Sequence, residues 1–231
     1  MKMPIAKLPL LAAVALALSL GSARGGILIE DDFIPATGGS SPASVAGRHP
    51  SKGPDWEGTA MVQDGLVHDQ QQVFSAAFSE IEAPSDFKKL IVKIRYRPRC
   101  GLQLAFGFAN SADALRNNNR RDYNAGLMWV NTVGREVGLA AGVYSDGEGV
   151  KGLPIPSTTP IPDLVEMEFE VENQGTRAYP GRIVANGKEI VSQDVTPTEA
   201  PTFRYFFIQF RGEEGQDPNQ AIVEHVSVEA E

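Results

Sequence analysis

The sequence is poor in most of the residues that carry recognisable chemistry. Its 231 residues include one cysteine, three histidines and two tryptophans. A single thiol cannot close an intramolecular disulfide, so the fold rests on its core rather than on covalent staples. Cys100 has no His, Asp or Glu beside it and reads as a small buried hydrophobe. His49, His68 and His225 are scattered without the spacing of zinc ligands. Serine or cysteine nucleophile motifs and an Asn-x-Ser/Thr acceptor are missing, and no glycine-rich stretch has the strand–helix setting of a phosphate loop or a nucleotide fingerprint. No amphipathic run of ten residues or more reads as a helix.

Long apolar runs are scarce too. The one at residues 8–20 contains Pro9 and falls short of the 18 or so apolar residues that spanning a bilayer requires. Lys2 and Lys7 accompany it and Gly21-Ser22-Ala23 closes it, so residues 1–23 read as a secretory signal peptide and the chain as secreted or periplasmic. Without the leader's two lysines, 19 basic residues face 29 acidic ones, a formal charge of −10. That balance argues against nucleic acid or an anionic membrane as a partner. About two hundred residues remain, enough for one sandwich with a sizeable core, and residues 24–231 show no linker that divides them.

What the sequence does have is alternation. Residues 164–172 read Leu-Val-Glu-Met-Glu-Phe-Glu-Val-Glu, with glutamate at every even position from 166 and apolar side chains between. Strict period two predicts a strand with one buried face. Residues 89–97 repeat the pattern with opposite charge: Leu90, Val92, Ile94 and Tyr96 on one face, and Lys89, Ile91, Lys93, Arg95 and Arg97 on the other. If the two strands are neighbours, their exposed faces form a charge ladder, with Lys93, Arg95 or Arg97 as partners of the glutamates. Each cross-strand pair then contributes roughly 0.2 to 1 kcal/mol.

Residues 101–109 and 135–144 each set an apolar face against one of little but Gly and Ala, among them Gly101, Ala105, Gly107, Gly138, Ala140 and Gly142. Glycine inside a strand marks close approach by a ligand or another backbone, so these faces predict a shallow, uncluttered floor. Asp64-Gly65 and Asn186-Gly187 are hairpin turns. Ser111 caps a single helical turn after it, and residues 35–54 form a long Gly, Ser and Pro-rich loop that is either packed over something or mobile. Many strands between Gly, Pro, Asn and Asp turns indicate an all-β, two-sheet antiparallel jelly-roll sandwich.

Three features resemble the concanavalin A-like lectin/glucanase jelly rolls of secreted bacterial proteins. They are the opening Glu30-Asp31-Asp32-Phe33 with Gly47-Arg48, Trp56 and Asp64-Gly65-Leu66 after it; an alternating strand followed by a hairpin around Asn186-Gly187; and a closing Ile222-Val223-Glu224-His225-Val226-Ser227-Val228. The resemblance implies two curved antiparallel sheets, a last strand beside the first, a concave face that often binds glycans, and in some members a structural calcium. Its members include binding modules, lectins, hydrolases and lyases, so the fold does not decide the function.

Several sites follow. Retaining laminarinase-like enzymes of this fold carry Glu-x-Asp-x-Glu on one strand, which Glu166, Glu168 and Glu170 resemble, with Glu168 in place of the family's Asp. That chemistry needs two carboxyls about 5 to 5.5 Å apart, one ionised and one protonated. Against it, the alternation runs on to Glu172 as a solvated face does, and no tryptophan adjoins the motif. A glycan-binding face would instead use Trp129, Tyr123 and Tyr144 as aromatic platforms beside the floor, with Gln103, Asn131 and Arg121 as hydroxyl partners. Asp31 and Asp32 could meet Glu224 around calcium. The reading that results is a secreted, non-catalytic jelly roll that binds a polysaccharide or surface glycan. The alternatives are a laminarinase-like hydrolase and a purely structural extracellular or envelope protein. The oligomeric state stays open.

Overall fold

The alternating stretches form strands, and their apolar positions meet in one core. The computed structural model describes residues 25–34, 42–97, 103–116, 128–133, 136–141, 153–154, 164–196, 200–212 and 222–231. Residues 1–24, 98–102, 117–127 and 142–152 are outside these, and with them the expected leader, Cys100, Arg121, Tyr123 and Tyr144. In chain order the strands are β1 (Gly26–Asp31), β2 (Ala43–Ser44), β3 (Glu57–Gly58), β4 (Met61–Val62), β5 (Leu66–Val67), β6 (Phe74–Glu80), β7 (Lys89–Arg97) and β8 (Gln103–Ala109). They continue with β9 (Met128–Val133), β10 (Glu136–Ala141), β11 (Leu153–Pro154), β12 (Val165–Glu172), β13 (Tyr179–Ala185), β14 (Lys188–Val195), β15 (Tyr205–Arg211) and β16 (Ile222–Ala230). One short helix, α1 (Ala112–Arg116), follows β8, and the Ser111 hydroxyl accepts from its Asp113 amide at 3.2 Å as a cap. Among the described residues no helix is long and apolar enough to cross a membrane.

The strands form two antiparallel sheets. The first runs β14-β13-β12-β7-β16-β5-β4-β2, with β1 also on β16; the second runs β11-β10-β9-β8-β15-β6-β3. The last strand therefore lies beside the first, as the resemblance implies. Leu90, Val92, Ile94 and Tyr96 of β7 and Val165, Met167, Phe169 and Val171 of β12 all face inward, each at most 2% exposed. From the second sheet Phe106, Phe108, Phe206, Ile208 and Phe210 meet them, and Phe169 crosses the gap to Phe106 and Phe108 at ring distances of 6.5 and 6.2 Å. Burying each such side chain is worth about 1.5 to 3 kcal/mol.

Both predicted turns form. Asn186 and Gly187 take φ of 49° and 74°, the left-handed pair that a two-residue hairpin turn needs between β13 and β14. Asp64 and Gly65 also take positive φ, 51° and 133°, within the three-residue turn Gln63 to Gly65 between β4 and β5. The described part of the long loop, from Pro42 onward, is mostly exposed but anchored at two points: Val45 is fully buried and Arg48 binds the buried Asp31.

Candidate functional site

Strand β7 lies between two acidic strands, β12 and β16. Its register with β12 sets Glu166 opposite Arg95, Glu168 opposite Lys93, Glu170 opposite Ile91 and Glu172 opposite Lys89. The charge ladder therefore exists, but its cations divide. Lys89 reaches Glu170 at 3.2 Å and Glu172 at 3.8 Å, whereas Lys93 turns to Glu229 at 3.1 Å and Arg95 and Arg97 to Glu224 at 3.2 and 2.6 Å. This corrects the expectation that Lys93, Arg95 or Arg97 would pair with Glu166 and Glu170. The register shift between Val223 and His225 leaves both Glu224 and His225 outside the core, within reach of β7's arginines.

Glu170 is held by Lys89 and by Arg182 of β13, each at 3.2 Å, with its side chain only 12% exposed. Partial burial pushes this carboxyl up, but the two cations outweigh it and hold the acid below its ordinary range. Glu168 goes the other way: partial burial first, then the neighbouring Glu170 charge, raises it, and Arg182 stands 3.9 Å off. Two carboxyls pushed apart are what acid–base chemistry uses. Here, though, they are neighbours at i and i+2, and Glu170, the carboxyl that stays ionised, is clamped by two cations with only 12% of its side chain exposed, which does not suit the proton donor that the resemblance would make of it.

Beside this pair the outer face of the sheet sinks into a depression of about 360 Å³ lined by Lys93, Arg95, Glu166, Glu168, Val184, Gly187 and His225. The Asn186-Gly187 turn forms its end wall. Asn186 donates its amide to the Glu166 carbonyl at 2.8 Å and accepts the Glu166 amide on its side-chain oxygen at 3.1 Å. Those bonds fix the backbone and leave the Glu166 carboxylate exposed, with no ion pair among the described residues.

The outer face of the second sheet is quite different. Ala76, Phe78, Ala105, Ala109, Trp129, Tyr205 and Phe207 form a second apolar cluster, to which α1 adds Ala112 and Leu115. Gly107 lies in register between Phe207 and Trp129. The missing side chain there makes room for two neighbouring rings. Trp129 is 7% exposed, so it is not the open stacking platform expected from the sequence, and the β8 part of the small-residue floor, Ala105, Gly107 and Ala109, is buried. Gln103 lies at the end of this face opposite Arg211, partly exposed; Asn131 is in β9, opposite Ala105 and Gly138.

No protein-family model matches this chain, and no curated protein matches it in sequence. Solved structures do match it in shape. Peanut lectin, solved with a 9mer peptide, superposes with a TM-score of 0.50 over 90% of this chain and 98% of its own, at 8% identity. The carbohydrate recognition domain of Emp47p gives 0.51 over 81% and 92%, at 6% identity. A protein of unknown function from Shewanella oneidensis MR-1 gives 0.51 over 89% and 86%, at 9% identity. The chain has the concanavalin A-like jelly-roll fold. Identities this low carry the fold and nothing finer.

Within this jelly roll the three acids expected around calcium have other partners. Asp31, 2% exposed, takes Arg48 Nε and Nη2 at 2.8 Å each, Trp56 Nε1 at 2.9 Å and the Phe33 amide at 2.7 Å. The carboxylate in turn holds Arg48 charged against its own burial. Asp32 meets His225 Nδ1 at 2.8 Å, and Glu224 meets the two arginines of β7. A hard cation would have to displace a guanidinium from Asp31 and Glu224, so as placed these residues do not fit one. Among the described residues no group of three His, Cys, Asp or Glu side chains could hold a metal. Sequence reasoning missed Val184, Gly187 and His225 as parts of the depression, and Arg182 as a partner of its acids. Only the pairing of β13 and β16 with their neighbours brings them there.

Proposed function

We propose that this jelly roll is exported by its leader and binds a glycan without cleaving it. The observation that carries the reading is the depression on the nine-stranded sheet, where Lys93, Arg95 and His225 offer donors and Glu166 and Glu168 offer acceptors around the apolar wall of Val184. A few convergent polar groups on a partly apolar surface suit a ring of hydroxyls. The fold supports it as well, since Emp47p, which shares this shape, carries a carbohydrate recognition domain. The clamp on Glu170 supports the non-catalytic half, because a carboxylate paired with Lys89 and Arg182 neither attacks a sugar nor supplies a proton.

The test pairs retention on a panel of insoluble polysaccharides with reducing-sugar release from the same panel, using wild type, Arg95→Ala and Glu166→Gln. The expected result is retention on at least one glycan, weaker in Arg95→Ala, with no sugar released by any of the three. Release by wild type that Glu166→Gln abolishes would make the protein a hydrolase. Absence of both retention and release on every glycan would leave the structural role.

A further inference from the structure

A second depression, of about 320 Å³, adjoins the first on the same sheet face and is lined by Asp32, Phe33, Ile34, Asp64, Arg95 and Glu224. Arg95 lines both, and His225 of the first donates to or accepts from Asp32 of the second across 2.8 Å. The strand order β13-β12-β7-β16-β1 sets the two end to end across the strands rather than along them. Four gaps of about 4.8 Å make the combined groove roughly 19 Å long. Such a groove is shaped for a chain rather than for one sugar ring.

Its charges are unevenly matched. Each basic side chain in the groove already has an acid: Lys93 has Glu229, Arg95 shares Glu224 with Arg97, and His225 has Asp32. The acids at the two ends do not each have a cation. Glu166 and Asp64 make no ion pair among the described residues, and Glu168 has Arg182 at 3.9 Å and the charge of Lys93 across the strand, though Lys93 itself bonds Glu229. Surplus negative charge therefore stands at both ends, with paired hydrogen-bond donors between them. Ile34, 68% exposed, adds an apolar edge to the far end. We infer that the groove takes a glycan chain bearing free amino groups, with ammonium groups against Glu166 and Glu168 at one end and Asp64 at the other, and ring hydroxyls against Arg95 and His225. This rests on the glycan-binding reading and names the substrate class within it. A uronic-acid chain would bring like charge to both ends.

The test is calorimetric titration of the full chain with four probes of equal length: fully deacetylated glucosamine oligomer, its N-acetylated counterpart, an oligouronate and oligolysine. The pH keeps the amines charged, and the measurement is repeated at high salt. With three exposed ion pairs, the deacetylated oligomer should bind about tenfold tighter than the acetylated one. High salt should erase that margin. Glu166→Gln with Glu168→Gln should remove most of it and Asp64→Asn part of it; Asn tolerates the left-handed φ of 51° at that turn, and an unchanged melting temperature confirms folding. Equal binding of both glucosamine oligomers overturns the amine inference and leaves glycan binding standing. Tighter binding of oligouronate overturns it in the same way. Binding of oligolysine alone overturns both readings in favour of a basic protein partner.

Discussion

The two sheets have opposite outer faces. That of the nine-stranded sheet is a field of charges, open and indented, in which Glu166, Glu168, Lys93 and Arg95 line a groove. That of the seven-stranded sheet, over β6, β15, β8 and Trp129, is apolar and shut, with Phe78 and Phe207 each 1% exposed although they point away from the main core. The open face came from strands with clean alternation, whereas the shut one joins the alternating β8 to β15, which is apolar on both sides, and to β6. The difference shows that alternation reveals which side chains share a face but not what lies over it. A charged face declares itself solvated because burying unpaired charge is prohibitive. A face of Gly, Ala and aromatic residues is compatible with solvent, ligand or another layer of the chain.

The largest expected effect breaks the closed face. Phe207→Ala should lower unfolding stability by about 3 to 5 kcal/mol in chemical denaturation, as for any filled core. A loss under about 1 kcal/mol would mean that the face is open and the two sheets are alike. Next comes the frame that ties the amino-terminal strand to the loop carrying Arg48. Asp31→Ala strands a guanidinium and an indole N–H and should cost about 3 to 5 kcal/mol. Adding calcium or chelator should leave the wild-type melting temperature where it is; a rise with calcium would show that a cation does sit on these acids.

A smaller, pH-dependent effect belongs to the interior between the faces. His68 is 4% exposed, shares a hydrogen bond with Ser75 at 2.7 Å, and is pushed below the ordinary imidazole range, by burial first, against the opposing pull of the Gln72 carbonyl and the Asp69 charge. The unfolded chain therefore takes up a proton more readily than the folded one. Stability should fall as pH drops below about 6.5 and level off below the lowered folded-state value. His68→Gln should flatten that limb of the melting-temperature profile, and a profile identical to wild type would remove His68 as its cause. The smallest effects lie on the open face. Glu170→Gln should cost at most about 1 kcal/mol and Glu168→Gln less, with both differences shrinking at high salt. A cost near that of Phe207→Ala would put the acid ladder in the core rather than on the surface.

Much of the architecture was legible. The inward sets of β7 and β12, the Asp64-Gly65 and Asn186-Gly187 hairpins, the Ser111 cap and the pairing of first and last strands all appear where the sequence led one to expect them. The candidate site was legible only in part. Glu166 and Glu168 do line a groove, but Trp129 is buried and Asp31, Asp32 and Glu224 are bound to nitrogen donors. Arg182 and His225 carried no signal of their own. A lone arginine in a hairpin and a lone histidine in a closing strand look alike whether they are near a glutamate or far from one.

By itself the sequence determined what local geometry controls. Side chains on an extended backbone alternate, so Val165 to Glu172 had to present apolar and acidic groups to opposite sides, and a two-residue turn with both φ positive had to fall at Asn186-Gly187. Only the tertiary structure decided what depends on distant neighbours. The placing of β7 between β12 and β16 let Lys93, Arg95 and Arg97 turn away from Glu166 and Glu168, leaving those acids on the groove. Packing of Trp129, Phe207 and α1 closed the other face. Electrostatic partners and covering layers are chosen by proximity in space, and no local pattern along the chain encodes that.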